Sequence, residues 1–201
     1  MLDFACERII ICNMTPEERA QCLRKEADEV LETVHLKEHC APIGKTVPTG
    51  SYFLDLMMYP DIDLYLPPTT PEGLLTLAMK LVEYDCVKEI VFQKGGPGDL
   101  AEGFYLKPVV EHGSWERPWK IDIWSLPLDI VEKKQKELSD IKDRMTPVHR
   151  RLILEYKYSI LTEKKRTPMF SGIYIYRAVM NLGLKDFNEI TEHLRENGIN
   201  I

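Results

Sequence analysis

Two aspartates one residue apart, in the run Tyr59-Pro60-Asp61-Ile62-Asp63-Leu64-Tyr65-Leu66, constrain this chain more than any other feature. The apolar alternation reads as a strand, and strand side chains point to opposite faces in turn. Asp61 and Asp63 therefore share one face, while Ile62 and Leu64 point into a core. Two carboxylates that close repel each other unless a proton or a cation lies between them. The plainer reading of the pair is a strand end with two solvated acids, since period-two placement is common.

Punctuation along the chain places this strand among other elements. Thr15-Pro16-Glu17-Glu18 combines an N-cap, a first-turn proline and a capping-box glutamate, so a helix is expected from Pro16 to about His35. Ala20, Leu23, Ala27, Val30, Leu31 and Val34 recur on one face of it. Thr69-Thr70-Pro71-Glu72 opens a second helix to about Tyr84. Strands are expected at Val87–Phe92, Gly103–Glu111 and Trp119–Trp124, with Lys94-Gly95-Gly96-Pro97-Gly98 as a hairpin turn between the first two. Beyond Pro127 the pattern turns helical, over about 128–144, 147–162, 168–182 and 185–197. The expected fold class is α/β with a mixed sheet, an N-terminal helix and a helical C-terminal region. The expected domains are 1–126 and 127–201.

Composition narrows the setting. With 201 residues and 44% hydrophobic content, the chain suits one domain, or one with a small appendage. No run approaches about 18 apolar residues, so neither a membrane span nor a membrane partner is expected. Acids come early in the opening residues Met1–Arg8, which argues against a secretory leader. Cys6, Cys12, Cys22, Cys40 and Cys86 lack a CxxC spacing and read as free thiols in a reducing, cytoplasmic setting. The net charge of -6 is uneven: the first 125 residues are acidic, and the stretch 133–166 is basic. That arrangement suits a metal site facing an anion site, or simply helix faces solvated by mixed charge.

Asp122 sits between Ile121 and Ile123 with Trp119 and Trp124 nearby. A carboxylate in an apolar strand faces either solvent at a sheet edge or a polar site built for it. If its strand adjoins the first, Asp61, Asp63 and Asp122 form an oxygen-only cluster suited to Mg²⁺ or Mn²⁺. Magnesium commonly pairs few carboxylates with substrate phosphates, which points to phosphoryl or nucleotidyl chemistry.

These residues resemble the nucleotidyltransferase superfold of polymerase beta and the antibiotic adenylyltransferases. Its motif is an apolar residue, Gly, then Gly or Ser, a gap, then Asp-apolar-Asp/Glu-apolar, with a third Asp on a later strand; here Pro48-Thr49 stands where an apolar pair often precedes the glycine, and Tyr52-Phe53-Leu54-Asp55 where small or basic residues often follow the serine. Here Gly50-Ser51 precedes Asp61-Ile62-Asp63-Leu64 by nine residues, and Asp122 follows; the resemblance spans roughly residues 40–125. It implies an enzyme that transfers a nucleoside monophosphate from a nucleoside triphosphate such as ATP to a hydroxyl of a small-molecule or protein acceptor. Gly50 and Ser51 would hold the triphosphate. Asp61, Asp63 and Asp122 would be catalytic and would ligate the metal, with Asp122 also the general base. Arg150, Arg151 and Lys157 are candidate nucleotide contacts. Nucleic acid ranks below a small molecule or protein as acceptor, because the overall acidity disfavours a long footprint.

Two other readings stay open. Asp-x-Asp also serves glycosyltransferases that use nucleotide sugars, and the same fold can persist as a non-catalytic regulatory or antitoxin-like module. His35, His39 and Cys40 have helical spacing but lack the glutamate of a zinc-protease motif. Tyr156, Tyr158, Tyr174 and Tyr176 read as core or interface packing before base stacking.

Overall fold

A computed structural model of the chain describes residues 14–164 and 171–201. The opening residues with Cys6 and Cys12, and the expected helix start at 168, lie outside the described residues. Helix α1, Pro16–Thr33, begins with the expected capping box: the Thr15 hydroxyl accepts the Glu18 N–H, and the Glu18 carboxylate accepts the Thr15 N–H. It stops before His35, which takes a left-handed backbone at φ 45° and starts a separate short helix α2, Leu36–Cys40. His39 Nε2 lies 2.9 Å from the Tyr84 hydroxyl, and burial pushes the Cys40 thiol up to about 12.

Strand β1, Val47–Thr49, and helix α3, Gly50–Leu54, were not expected from the sequence. A three-residue strand centred on Pro48 and a single helical turn carry too little periodicity to register. Strand β2, Asp61–Leu66, leads to helix α4, Pro71–Leu81, which Thr70 caps. Strands β3, Val87–Lys94, and β4, Phe104–Val110, form the expected hairpin, with a 3₁₀ turn at Gly98–Leu100 in its loop. Strand β5, Trp119–Ser125, completes the sheet. Helices α5 (Leu128–Arg144), α6 (Pro147–Lys164), α7 (Ser171–Met180) and α8 (Phe187–Glu196) follow.

The sheet order is β1-β2-β5-β4-β3, with β2 and β5 parallel and the other neighbours antiparallel. Period-two alternation sends Ile62, Leu64, Leu66, Trp119, Ile121 and Ile123 to one face, where they pack with Leu23, Val30, Leu74 and Leu77 of α1 and α4. A second apolar cluster joins Ile141, Ile153, Tyr156, Ile175, Tyr176 and Leu194 of α5–α8. Two elements serve both clusters. Helix α1 gives Leu23 to the first and Ala20 to the second, and α3 gives Tyr52 to the first and Leu54 to the second. Among the described residues no helix is long and apolar enough to cross a membrane.

Candidate active site

The register of β2 against β5 brings the three aspartates together. Asp63 and Asp122 are direct cross-strand partners, and Asp61 stands one step along β2, opposite Lys120. Neighbouring strands run about 4.8 Å apart, so all three carboxylates occupy one patch of the face turned away from the sheet's apolar core. Burial and the Asp122 charge push the Asp61 carboxyl up to about 6. Burial, with Asp61 and Asp122 adding repulsion, holds Asp63 well above the usual carboxylate range. Burial also raises Asp122, against a 2.5 Å hydrogen bond that its Oδ1 accepts from the Tyr105 hydroxyl. Asp61 Oδ1 is buried with no hydrogen-bond partner.

Gly50 lies directly on this patch. Its backbone is left-handed, at φ 59°, and a Cβ there would collide with the Asp63 carboxylate. Only glycine gives both the backbone conformation and the close approach. Thr49 pairs with Asp63 across β1 and β2, so the Gly50-Ser51 corner meets the second aspartate from the β1 side.

The apolar connection from α3 to β2 is held by three cations. Arg150 of α6 donates to the Asp55 carbonyl, Lys157 of α6 to the Leu56 carbonyl at 2.5 Å, and Arg19 of α1 to the Met58 carbonyl at 3.0 Å. Arg150 also pairs with the Glu17 and Asp55 carboxylates, each at 3.1 Å. Lys157 is 4% exposed, between the Tyr59 and Tyr176 rings. Burial lowers it to about 8, although Asp63 and Asp61 pull the other way. Of the basic candidates, then, Lys157 stands near the acid pair, Arg150 is engaged by carboxylates, and Arg151 is exposed. Tyr105 and Arg19 were not among the residues expected at the site. Their alternating and helical positions were legible, but their partners depend on long-range register.

The donor set suits a hard divalent cation: oxygen ligands only, one of them an orphaned buried atom, with repulsion that a cation would relieve. Among the described residues no group of three or more His, Cys, Asp or Glu stands in metal-holding geometry, so a cation would have to draw the carboxylates inward.

No protein-family model and no curated protein matches the chain. Among solved structures, 33 chains match. One is a structure of Cid1, described as giving a basis for that protein's RNA terminal uridylyl transferase activity. It is 17% identical, with a TM-score of 0.51, over 73% of this chain and 44% of that chain. This chain therefore spans less than half the length of the protein it matches. The shared architecture is the mixed-sheet nucleotidyltransferase fold that the Gly50-Ser51 and Asp61-Ile62-Asp63 motif implied.

Proposed function

We propose that this chain, which carries the nucleotidyltransferase fold, is a divalent-metal-dependent nucleotidyltransferase. It would move a nucleoside monophosphate from a nucleoside triphosphate to an acceptor hydroxyl on a small molecule or protein. The observation that carries the reading is the convergence of Asp61, Asp63 and Asp122 on one sheet face, with Gly50 packed on Asp63. Mg²⁺ or Mn²⁺ held by the three carboxylates would neutralise charge on the reacting phosphates and the leaving pyrophosphate.

The chain's own residues supply the rest. Gly50 lets the backbone approach the triphosphate, and the Ser51 hydroxyl donates to its outer phosphates. Lys157 offers a buried ammonium beside the acid pair. Arg150 would reach a phosphate only by releasing Glu17 or Asp55. Asp122 takes the acceptor's proton as the acceptor oxygen bonds to the α-phosphorus and the bond to pyrophosphate breaks.

Thermal denaturation tests the reading. Mg²⁺ with a nucleoside triphosphate raises the melting temperature of the wild type, and Asp61→Ala or Asp63→Ala abolishes that rise. Absence of a shift with any triphosphate, or a shift only with nucleotide sugars, would sink it.

A further inference from the structure

Tyr105 reaches the acid patch from a neighbouring strand. The antiparallel register sets it opposite Trp124, two residues beyond Asp122 on β5. Diagonal neighbours of that kind lie about 7–8 Å apart, a span that an aromatic side chain covers. The Tyr105 hydroxyl crosses it and donates to Asp122 Oδ1 at 2.5 Å. Among the described residues this is the only hydrogen bond to the Asp122 side chain. The tyrosine is itself held: its ring centroid lies 4.7 Å from that of Trp124. The β3–β4 loop backs the tryptophan in turn. A Cβ on Gly96 would fall 2.6 Å from Trp124 Cη2, so a glycine is needed for the loop to lie there.

We propose that Tyr105 is a positioning residue for Asp122 and that Trp124 acts through it. The inference rests on the divalent-metal reading and deepens it by naming what orients the third ligand. Strand order carries the argument. Strands β4 and β2 flank β5 on opposite sides, so an Asp122 oxygen fixed toward β4 leaves Oδ2 on the side of Asp61 and Asp63. A carboxylate with one oxygen anchored has lost its rotation before a cation arrives, so less ordering remains to oppose binding. The Trp124 stack restricts the Tyr105 ring, and with it the direction of the hydroxyl. The row Gly96, Trp124, Tyr105 therefore ends on the metal-facing carboxylate rather than on solvent.

Titration of the full chain with Mn²⁺ alone, free ion read by electron paramagnetic resonance, tests the assignment apart from any activity. Tyr105→Phe keeps the ring and loses only the hydroxyl; it is expected to weaken manganese binding by about tenfold or more. Trp124→Leu keeps the hydroxyl and weakens binding by about threefold. In a Tyr105→Phe background it costs nothing further, because its effect passes through the tyrosine. Water-proton relaxation supplies a spectroscopic signature. At saturating manganese the enhancement rises in Tyr105→Phe, as a water takes the place that Asp122 gives up. Melting in chelator shows that each variant folds; if Trp124→Leu does not, Gly96→Ala, which must displace the Trp124 ring, replaces it in the cycle. A lowered melting temperature with wild-type manganese affinity in Tyr105→Phe makes the hydrogen bond structural only and overturns the assignment. Equal losses from Trp124→Leu in both backgrounds overturn the part given to Trp124. Asp63→Asn separates the inference from the reading beneath it. If that variant binds manganese as the wild type does, the metal site itself fails; if it binds weakly while Tyr105→Phe is unaffected, only the positioning role falls.

Discussion

Asp61 and Asp63 are groups whose folded surroundings oppose ionisation. The Asp61 carboxyl rises from 3.8 to about 6, chiefly through burial, and burial also holds Asp63 well above the usual carboxylate range. A carboxyl raised on folding binds more protons in the native than in the unfolded state between the two values, so its contribution to stability falls as pH rises through that window. In chelator, Asp61→Asn is therefore expected to gain stability relative to wild type as pH rises from 3.8 through about 6. Magnesium reverses the comparison at the upper end, because it binds the ionised acids. Denaturant unfolding at several pH values checks this; a difference that does not change with pH would contradict it. The acids themselves were legible in the sequence because strand alternation announces which residues share a face. The Tyr105 hydrogen bond to Asp122 was not, because it exists only in the register of β4 against β5.

At the scale of elements, α6 links the helical region to the site. Arg150 and Lys157 lie seven residues apart, two helical turns, on one side of the helix. They take the consecutive carbonyls of Asp55 and Leu56, just upstream of the aspartate strand. The basic run at 133–166 thus has a structural use as well as an electrostatic one. Arg150→Ala is expected to cost about 1–2 kcal/mol of stability, since its partly exposed ion pairs and its backbone contact are lost together. Urea unfolding measures this. The magnesium–triphosphate melting shift should survive in the same variant; its loss in a folded protein would assign Arg150 to the nucleotide. Helix starts were readable from Thr-Pro-Glu punctuation at Thr15 and Thr70 because caps are local chemistry. The end of α1 was not, since apolar periodicity continues through Val34 while the backbone turns at His35. Strand β1 and helix α3 escaped notice because the contacts that hold them, Thr49 against Asp63 and Gly50 on its carboxylate, lie far away in sequence.

At the scale of the molecule, two apolar clusters meet through α1 and α3, and the acid patch lies beside α3. The boundary expected at 126 and 127 falls between β5 and α5, and α1 packs into the apolar clusters on both sides of it. We expect the two parts to unfold together for that reason. The central claim is that three carboxylates on one sheet face form a metal site for nucleotidyl transfer. A crystal structure with Mn²⁺ and a non-hydrolysable nucleoside triphosphate, phased on the manganese anomalous signal, tests it most directly. Manganese is expected between Asp61 and Asp63, with Asp122 drawn toward it and the phosphates against Gly50 and Ser51. A triphosphate bound elsewhere, with no manganese at Asp61 and Asp63, would contradict it.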